Sequence, residues 1–482
     1  MQNQMFFAAA LGAVVAFVAV NWAYFKVLRI ALDKNLVDNP DARKLQKRPV
    51  PVMGGIAVYF GVLAGVLCGA VLHALTGVAV PTRLLPVMCA MSVMLYVGAL
   101  DDILGLSPRS RMVIEVLTVL ALVFASGKCI DSLHGLWGVE AFSWWIAVPL
   151  TVFAGVGIIN AVNMIDGVNG LSSGLCITCC AVFGVSFVMV GDVPNAALAF
   201  STVGALIPFF VHNVFGNHSR MFIGDAGTMV MGILLTWFSI CTLDARSSAD
   251  FMIGGRVLNP VALVLAVMSV PVFDTIRVMG MRMLRHKSPF LPDKTHLHHV
   301  FVSVGISHFI TTVSEILIGV VVVAALVVSA LCGAGADIQL YSVIVAAVLF
   351  VWGTYFILKF NADRHTAFLH FLTGFSVRTH LGRSEWWRKL TAWLDGPCKA
   401  FAEEDAEPQE TPASDLKERD RRLVLGFMKG RAEVLVSDIM ENSGAERLRV
   451  YAILFEEVQR GRVAVAKEDG FGGPEIVMLT NQ

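Results

Sequence analysis

Four groups of residues in this chain have the types and spacings that metal or phosphate chemistry requires. The first is Asp101-Asp102, followed by Gly105-Leu106-Ser107-Pro108 and the bases Arg109 and Arg111. Adjacent carboxylates at a helix C-terminus oppose its dipole unless a cation or a substrate compensates. Carboxylates with few soft ligands nearby suit Mg²⁺ or Mn²⁺, and Mg²⁺ commonly joins a protein acid to a substrate phosphate. The second group is Asn160-Ala161-Val162-Asn163-Met164-Ile165-Asp166-Gly167-Val168-Asn169-Gly170. Spacings of three put Asn160, Asn163 and, if the helix continues, Asp166 on one face. The Asp-Gly and Asn-Gly pairs mark a turn. The third group is Gly224-Asp225-Ala226-Gly227-Thr228, where an aspartate at a helix start is also explained by N-capping alone. The fourth is Lys294-Thr295-His296-Leu297-His298-His299. Its histidines suit a transition metal or, beside Lys294 and the upstream arginines, an anionic diphosphate.

These groups lie where apolar runs meet polar loops. The chain is 56% hydrophobic and 15% charged, with a mean hydropathy of +0.70, which excludes an ordinary soluble domain. Its apolar runs predict an all-α polytopic membrane protein of about eleven spans, near 5–24, 53–73, 84–100, 112–126, 142–159, 171–190, 196–215, 226–243, 259–276, 309–331 and 340–358. The first is long enough to remain as a span rather than a cleaved signal. The nine cysteines show no framework spacing, so neither disulfides nor a zinc site is expected. The acids close spans instead of interrupting them, which disfavours a transporter with a midplane site; Glu115 and Glu315 are the exceptions.

Loops after odd-numbered spans carry about fifteen Lys and Arg residues, Lys47, Arg48, Arg111, Arg220 and Arg285 among them. Loops after even-numbered spans carry only Arg83, Lys128, Arg246 and Arg256. By the positive-inside rule the N-terminus is outside, the C-terminus is cytoplasmic, and all four groups share the cytoplasmic face.

Taken with Lys47-Arg48-Pro49 and Gly54-Gly55, the four groups resemble the polyprenyl-phosphate N-acetylhexosamine-1-phosphate transferases, in family order over about residues 5–360. The Pro292-Asp293-Lys294-Thr295-His296-Leu297-His298-His299 form is similar to bacterial enzymes that start envelope polysaccharides. The phospho-N-acetylmuramoyl-pentapeptide transferase branch usually has a different histidine loop and is the poorer match. The resemblance implies transfer of a sugar 1-phosphate, GlcNAc 1-phosphate by the commonest precedent, from a UDP-N-acetylhexosamine to undecaprenyl phosphate with release of UMP. The setting it implies is multi-pass in a bacterial inner membrane among its lipids, with Mg²⁺ (or Mn²⁺) as cofactor. It assigns Asp225 and Asn163 to the metal, Asp101 to the acceptor as base or orienting acid, and Asp102 and Asp166 to the catalytic set. Arg111 and Lys47 would hold the lipid phosphate, and Asn160, Asn169, Lys294, His296, His298 and His299 the nucleotide and diphosphate. Three positions depart from the usual pattern: Arg111 stands where a lysine is common, Asn169 where many relatives have an aspartate, and Lys294 where an arginine is common.

The transferase domain is expected over 1–360. Residues 361–415 form an amphipathic segment and acidic linker that could lie on the inner leaflet. Residues 416–482 form a small α+β, winged-helix-like cytoplasmic module, with helices near 416–428 and 436–460 and a hairpin over 462–467 and 475–479. Its even mix of acids and bases points to a protein partner rather than nucleic acid; homodimerisation stays open.

Overall fold

The computed structural model describes residues 2–38, 49–75, 82–245, 250–288, 295–364 and 384–398, single positions between 368 and 376, and most of 413–480. It divides into two compact units, Met1–Lys399 and Ala400–Gln482.

The first unit is a helical bundle built around one helix. In chain order it contains α1 (Gln2–Asp33), α2 (Gly54–Leu75), α3 (Leu85–Leu104), α4 (Pro108–Ser126), α5 (Trp144–Met164), α6 (Leu171–Met189), α7 (Val193–Phe215) and α8 (Gly224–Leu243). After these come α9 (Pro260–Val267), α10 (Ser269–Leu284), α11 (Leu297–Ser303), α12 (His308–Leu331), α13 (Ala336–Ala347) and α14 (Gly353–Arg364), the last two continuous through a π-helical turn, and then α15 (Glu385–Leu394). Helix α8 is buried along its whole membrane-crossing window and packs against α2, α3, α5, α6 and α9. Among the described residues nine helices are long and apolar enough to cross a membrane, and this is a multi-pass membrane protein.

Two expected spans turn out differently. The fourth, α4, carries Arg109, Arg111 and Glu115 in its first turns and falls outside those nine. The ninth is not one rod: α9 and α10 meet at Met268 with a bend of 75°. Pro271, which has no N–H to return to Val267, sits in the first turn of α10 and makes a straight continuation unfavourable.

Local sequence explains the helix ends that build the site. Gly105 ends α3 in the left-handed region, its N–H returning to the Asp101 carbonyl. Two residues on, Ser107 caps α4 by accepting from the Ser110 N–H at 3.1 Å, and Pro108 occupies the first helical position. The same device, Ser307 accepting from Ile310, opens α12. Two short antiparallel strand pairs lie outside the all-α expectation. β1 (Val37–Asp38) pairs with β2 (Val50–Pro51), and β3 (Phe251–Ile253) pairs with β4 (Arg256–Leu258).

The second unit orders α16 (Ala413–Met428), β5 (Val434–Leu435), α17 (Val436–Asn442), helical residues between 450 and 458, and a hairpin of β6 (Val463–Glu468) and β7 (Pro474–Leu479). The antiparallel sheet runs β5-β7-β6 over a core that includes Val424, Met428, Ile439, Leu454 and Val477. Within it, buried Glu457 pairs with Arg421, Arg460 and Arg462.

Candidate active site

The N-terminus of α8 is where the four groups begin to meet. Gly224 has φ of 72°, which only glycine adopts without strain, and a Cβ there would lie 2.5 Å from an Asp102 carboxylate oxygen. Asp102, on α3, accepts from the Asp225 N–H at 2.8 Å and the Ala226 N–H at 3.0 Å. The cap of α8 is therefore supplied across the bundle, which sets aside the alternative of Asp225 as N-cap: Asp225 lies in the first turn, its carboxylate turned to Asn163 and Arg111. Such a fit requires close backbones. A Cβ on Gly98 of α3 would fall 2.5 Å from the Asp225 carbonyl oxygen, and the Gly54 and Gly55 N–H groups donate to Phe222 and Ile223.

Asp101 faces away from Asp102. One oxygen accepts from the Leu106 N–H at 2.7 Å and the other from Arg111 Nη1 at 3.2 Å. Arg111 is the hub of the site. Its Nη2 donates to Asn163 Oδ1 at 2.9 Å and Asn160 Oδ1 at 3.4 Å, and its Nε pairs with Glu115 Oε1 at 3.3 Å. Nη1 also lies 3.9 Å from Asp225 Oδ1. Asn163 in turn donates to Asp225 Oδ1 at 2.5 Å and to Thr228 Oγ1 at 2.8 Å, while Asn160 donates to Glu115 Oε2. The asparagines thus share a face, as their spacing predicts. Glu115, set aside in the sequence as an exception, is the fully buried counter-ion that fixes Arg111.

Asp166 does not continue that face, because α5 ends at Met164 and the chain turns. Its carboxylate accepts from the Ser172 hydroxyl at 2.5 Å. Desolvation of this partly buried carboxyl pushes it up to about 6; the Ser172 hydrogen bond works the other way, and the charge of nearby Asp225 adds to the rise. Asn169 is held by its backbone, whose N–H reaches His308 Nδ1 at 3.3 Å and whose carbonyl accepts from Thr312 at 2.9 Å.

The histidine loop closes the same end. A Cβ on Gly167 would lie 2.8 Å from His298 Nε2 and 3.6 Å from His299, so these rings pack on the Asp166-Gly167 turn. His298–His299 ring centroids are 4.3 Å apart and His296–His298 5.7 Å. His296 and His298 are buried, not displayed to solvent, and burial holds the His298 imidazole well below its usual value, helped by the neighbouring His299. Lys47 and Lys294 lie outside the described residues.

The donor set is hard: carboxylate and amide oxygens on Asp101, Asp225 and Asn163. Of the carboxylates around Arg111, Asp225 is the most open, its side chain 34% exposed against 9% for Asp101 and 1% for Glu115. Among the described residues no three His, Cys, Asp or Glu side chains are assembled for a metal. Such a set does not fit a closed transition-metal site. It fits Mg²⁺, which takes one or two protein carboxylates and completes its sphere with substrate phosphates and water.

The glycosyl transferase family 4 model matches residues 84–243, the stretch that supplies Asp101 through Asp225. A probable undecaprenyl-phosphate N-acetylglucosaminyl 1-phosphate transferase of Bacillus subtilis (strain 168) is 30% identical over 294 residues, which are 61% of this chain and 77% of the relative. A decaprenyl-phosphate N-acetylglucosaminephosphotransferase of Mycolicibacterium smegmatis is 33% identical over 312 residues, 61% of this chain and 75% of that protein. The chain belongs to this transferase family. An undecaprenyl-phosphate alpha-N-acetylglucosaminyl 1-phosphate transferase of Yersinia pestis is similar too, 30% identical over 289 residues and 73% of its length. Within the family frame, residues to which the sequence gave no role now have places: Glu115 behind Arg111, Thr228 behind Asn163, Ser172 behind Asp166, and Asp274 behind the histidines. Glu115 and Asp274 had the same visible signal, a charge inside an apolar run.

Proposed function

We propose that this protein transfers N-acetylglucosamine 1-phosphate from UDP-N-acetylglucosamine to undecaprenyl phosphate, releasing UMP and starting an envelope polysaccharide. The observation that carries the reading is the meeting of Asp101, Asn163 and Asp225 around one guanidinium at the N-terminus of a fully buried helix. An oxygen of the lipid phosphate attacks the sugar-bearing phosphorus of the UDP-sugar. The new P–O–P bond forms as the bond to the UMP oxygen breaks. Asp225, with Asp101 and Asn163 nearby, would hold Mg²⁺, which offsets charge on the diphosphate. Arg111, anchored from behind by Glu115, presents positive charge to the acceptor phosphate. Asp101 orients that phosphate, which at neutral pH is largely ionised already, so placement matters more than proton removal. The buried His296-His298-His299 cluster, resting on the Asp166 turn, lines the diphosphate side.

The proposed setting is a bacterial inner membrane with the site on the cytoplasmic face. The nine apolar helices, α4 and the bent α9–α10 pair make eleven crossings, with the N-terminus outside, as the basic loops indicate. The helix, strand and hairpin order of residues 413–480 supports a winged-helix-like module, and its even mix of acids and bases favours a protein partner over nucleic acid.

Incubating the purified protein with radiolabelled UDP-N-acetylglucosamine, undecaprenyl phosphate and Mg²⁺ tests the function. The expected outcome is butanol-soluble label with equimolar UMP, abolished by EDTA. Uptake of intact UDP-sugar into vesicles without UMP would instead make the protein a carrier.

A further inference from the structure

The histidine cluster is held by a residue that neither its motif nor the reaction calls for. Asp274 lies on α10, 22 positions before His296, and is buried to 2% exposure. One oxygen, Oδ2, contacts His296 Nδ1 at 2.8 Å. The other, Oδ1, accepts from Arg277 Nη2 at 2.6 Å, and both oxygens lie within reach of the Leu297 N–H, at 3.2 and 3.3 Å. Arg277 Nη2 also donates to the Thr295 carbonyl at 2.6 Å, and its guanidinium stacks over Tyr355 at 3.6 Å. Thr295, His296 and Leu297 are thus tied to one carboxylate–guanidinium pair, and the break at Met268 is what sets the direction of the helix that carries it.

We propose that Asp274 is a positioning residue for the UDP-sugar diphosphate and acts through His296. The proposal rests on the diphosphate reading of the histidine cluster. A carboxylate on Nδ1 fixes the tautomer that keeps a proton there, and it supports a positive imidazole when an anion approaches Nε2. A buried acid needs such partners, and those of Asp274 are spent on this loop. Arg277, engaged by Asp274 through Nε and Nη2, by the Thr295 carbonyl through Nη2 and by the Tyr355 ring, serves the same frame.

The test uses the full-length enzyme with Asp274→Asn, His296→Ala and the double variant, measuring kcat and KM for each substrate. Asparagine keeps an acceptor for Arg277 and Leu297 but turns an amide N–H toward His296, which reverses the tautomer. Asp274→Asn should raise the KM for UDP-N-acetylglucosamine about 10–100-fold, the usual cost of removing a carboxylate that orients a working imidazole. The KM for undecaprenyl phosphate should not move, and the double variant should be no worse than the poorer single one. Multiplying effects in the double variant, or equal loss toward both substrates, overturn the proposal. His296→Ala with an unchanged UDP-sugar KM would sink the diphosphate reading itself, whereas an impaired His296→Ala beside a normal Asp274→Asn sinks only the positioning role. If Asp274→Asn does not survive purification, His296→Asn reads the link from the other side. Its amide nitrogen stands at the Nδ1 position and keeps the Asp274 contact while Nε2 is lost. UDP-sugar kinetics as poor as those of His296→Ala support the proposal, and wild-type kinetics overturn it.

Discussion

Replacing Asp102 by alanine should damage the enzyme through helix α8 before it damages any proton transfer. The carboxylate accepts two backbone N–H groups, from Asp225 at 2.8 Å and Ala226 at 3.0 Å, at a helix end with no side-chain cap of its own. Hydrogen bonds to a charged group contribute about 1.5–3 kcal/mol each. Because Asp102 is only partly buried, about 2–4 kcal/mol for the pair is the appropriate scale after allowing for solvent. The freed N–H groups belong to Asp225 and its neighbour, so the first turn of α8 should loosen where the most open acid stands. A displacement of about 1 Å in a reacting array costs about 100-fold. Asp102→Ala should therefore lose thermal stability in detergent and lower kcat at least about 100-fold. Asp102→Asn, which retains one acceptor oxygen, should fall between it and wild type in both readouts. Thermal unfolding followed by tryptophan fluorescence, run beside the UMP-release assay, gives both numbers on one preparation. An inactive Asp102→Ala that melts with wild type would refute the capping argument and return Asp102 to direct chemistry.

Asp225→Ala should abolish UMP release and Asp101→Asn should severely reduce it, while both remain folded by size-exclusion chromatography; normal turnover by either removes its assigned role. Arg111→Lys keeps the charge but cannot reach Asp101, Asn160, Asn163 and Glu115 together, so the KM for undecaprenyl phosphate should rise about 10-fold, with a smaller effect on UDP-N-acetylglucosamine. Asp395, just past α15, accepts from the Asn217 and Ser219 N–H groups and the Ser219 hydroxyl. Burial raises its carboxyl, but the Ser219 bonds and the His218 and Asn217 amides outweigh that and hold it below the ordinary value. A depressed folded pKa means stability that is fully present above the ordinary value near 4 and lost as pH falls through the folded one. Asp395→Ala should accordingly melt below wild type at pH 7, with the gap closing under about pH 4 in a thermal-shift series; a gap independent of pH would contradict this.

The same contact bears on where the transferase unit ends. Composition suggests a domain closing near residue 360, with an amphipathic segment beyond it. Instead Trp387 stacks on Phe215 at 4.5 Å, Thr391 donates to the Phe215 carbonyl, and Asp395 binds the loop leading to Gly224-Asp225. One face of α15 is thus committed to the loop that precedes α8, and Trp386 and Trp393 remain exposed on the other. Hydrophobic periodicity shows that such a helix has two faces but does not say which neighbour covers one of them.

What the sequence determined by itself was the class, most of the apolar helices and the polar groups that end up near one another. In a membrane every backbone polar group must be satisfied within its own helix, so apolar length reads directly as structure. Polar residues are costly there, so those that persist stand out. That is why Asp101, Asn160, Asn163, Asp225 and the histidines could be picked out before any fold was known. Only the tertiary structure decided what each of them faces. Asp101 and Asp102 are neighbours in sequence, yet one turns to Arg111 and the other caps a helix more than a hundred residues away. Asp274 stands out as a charge in an apolar run, but nothing in that run names His296 as its partner; the bend at Met268 is what aims its helix there. These pairings depend on close backbone contacts between distant helices, and local sequence carries no record of them.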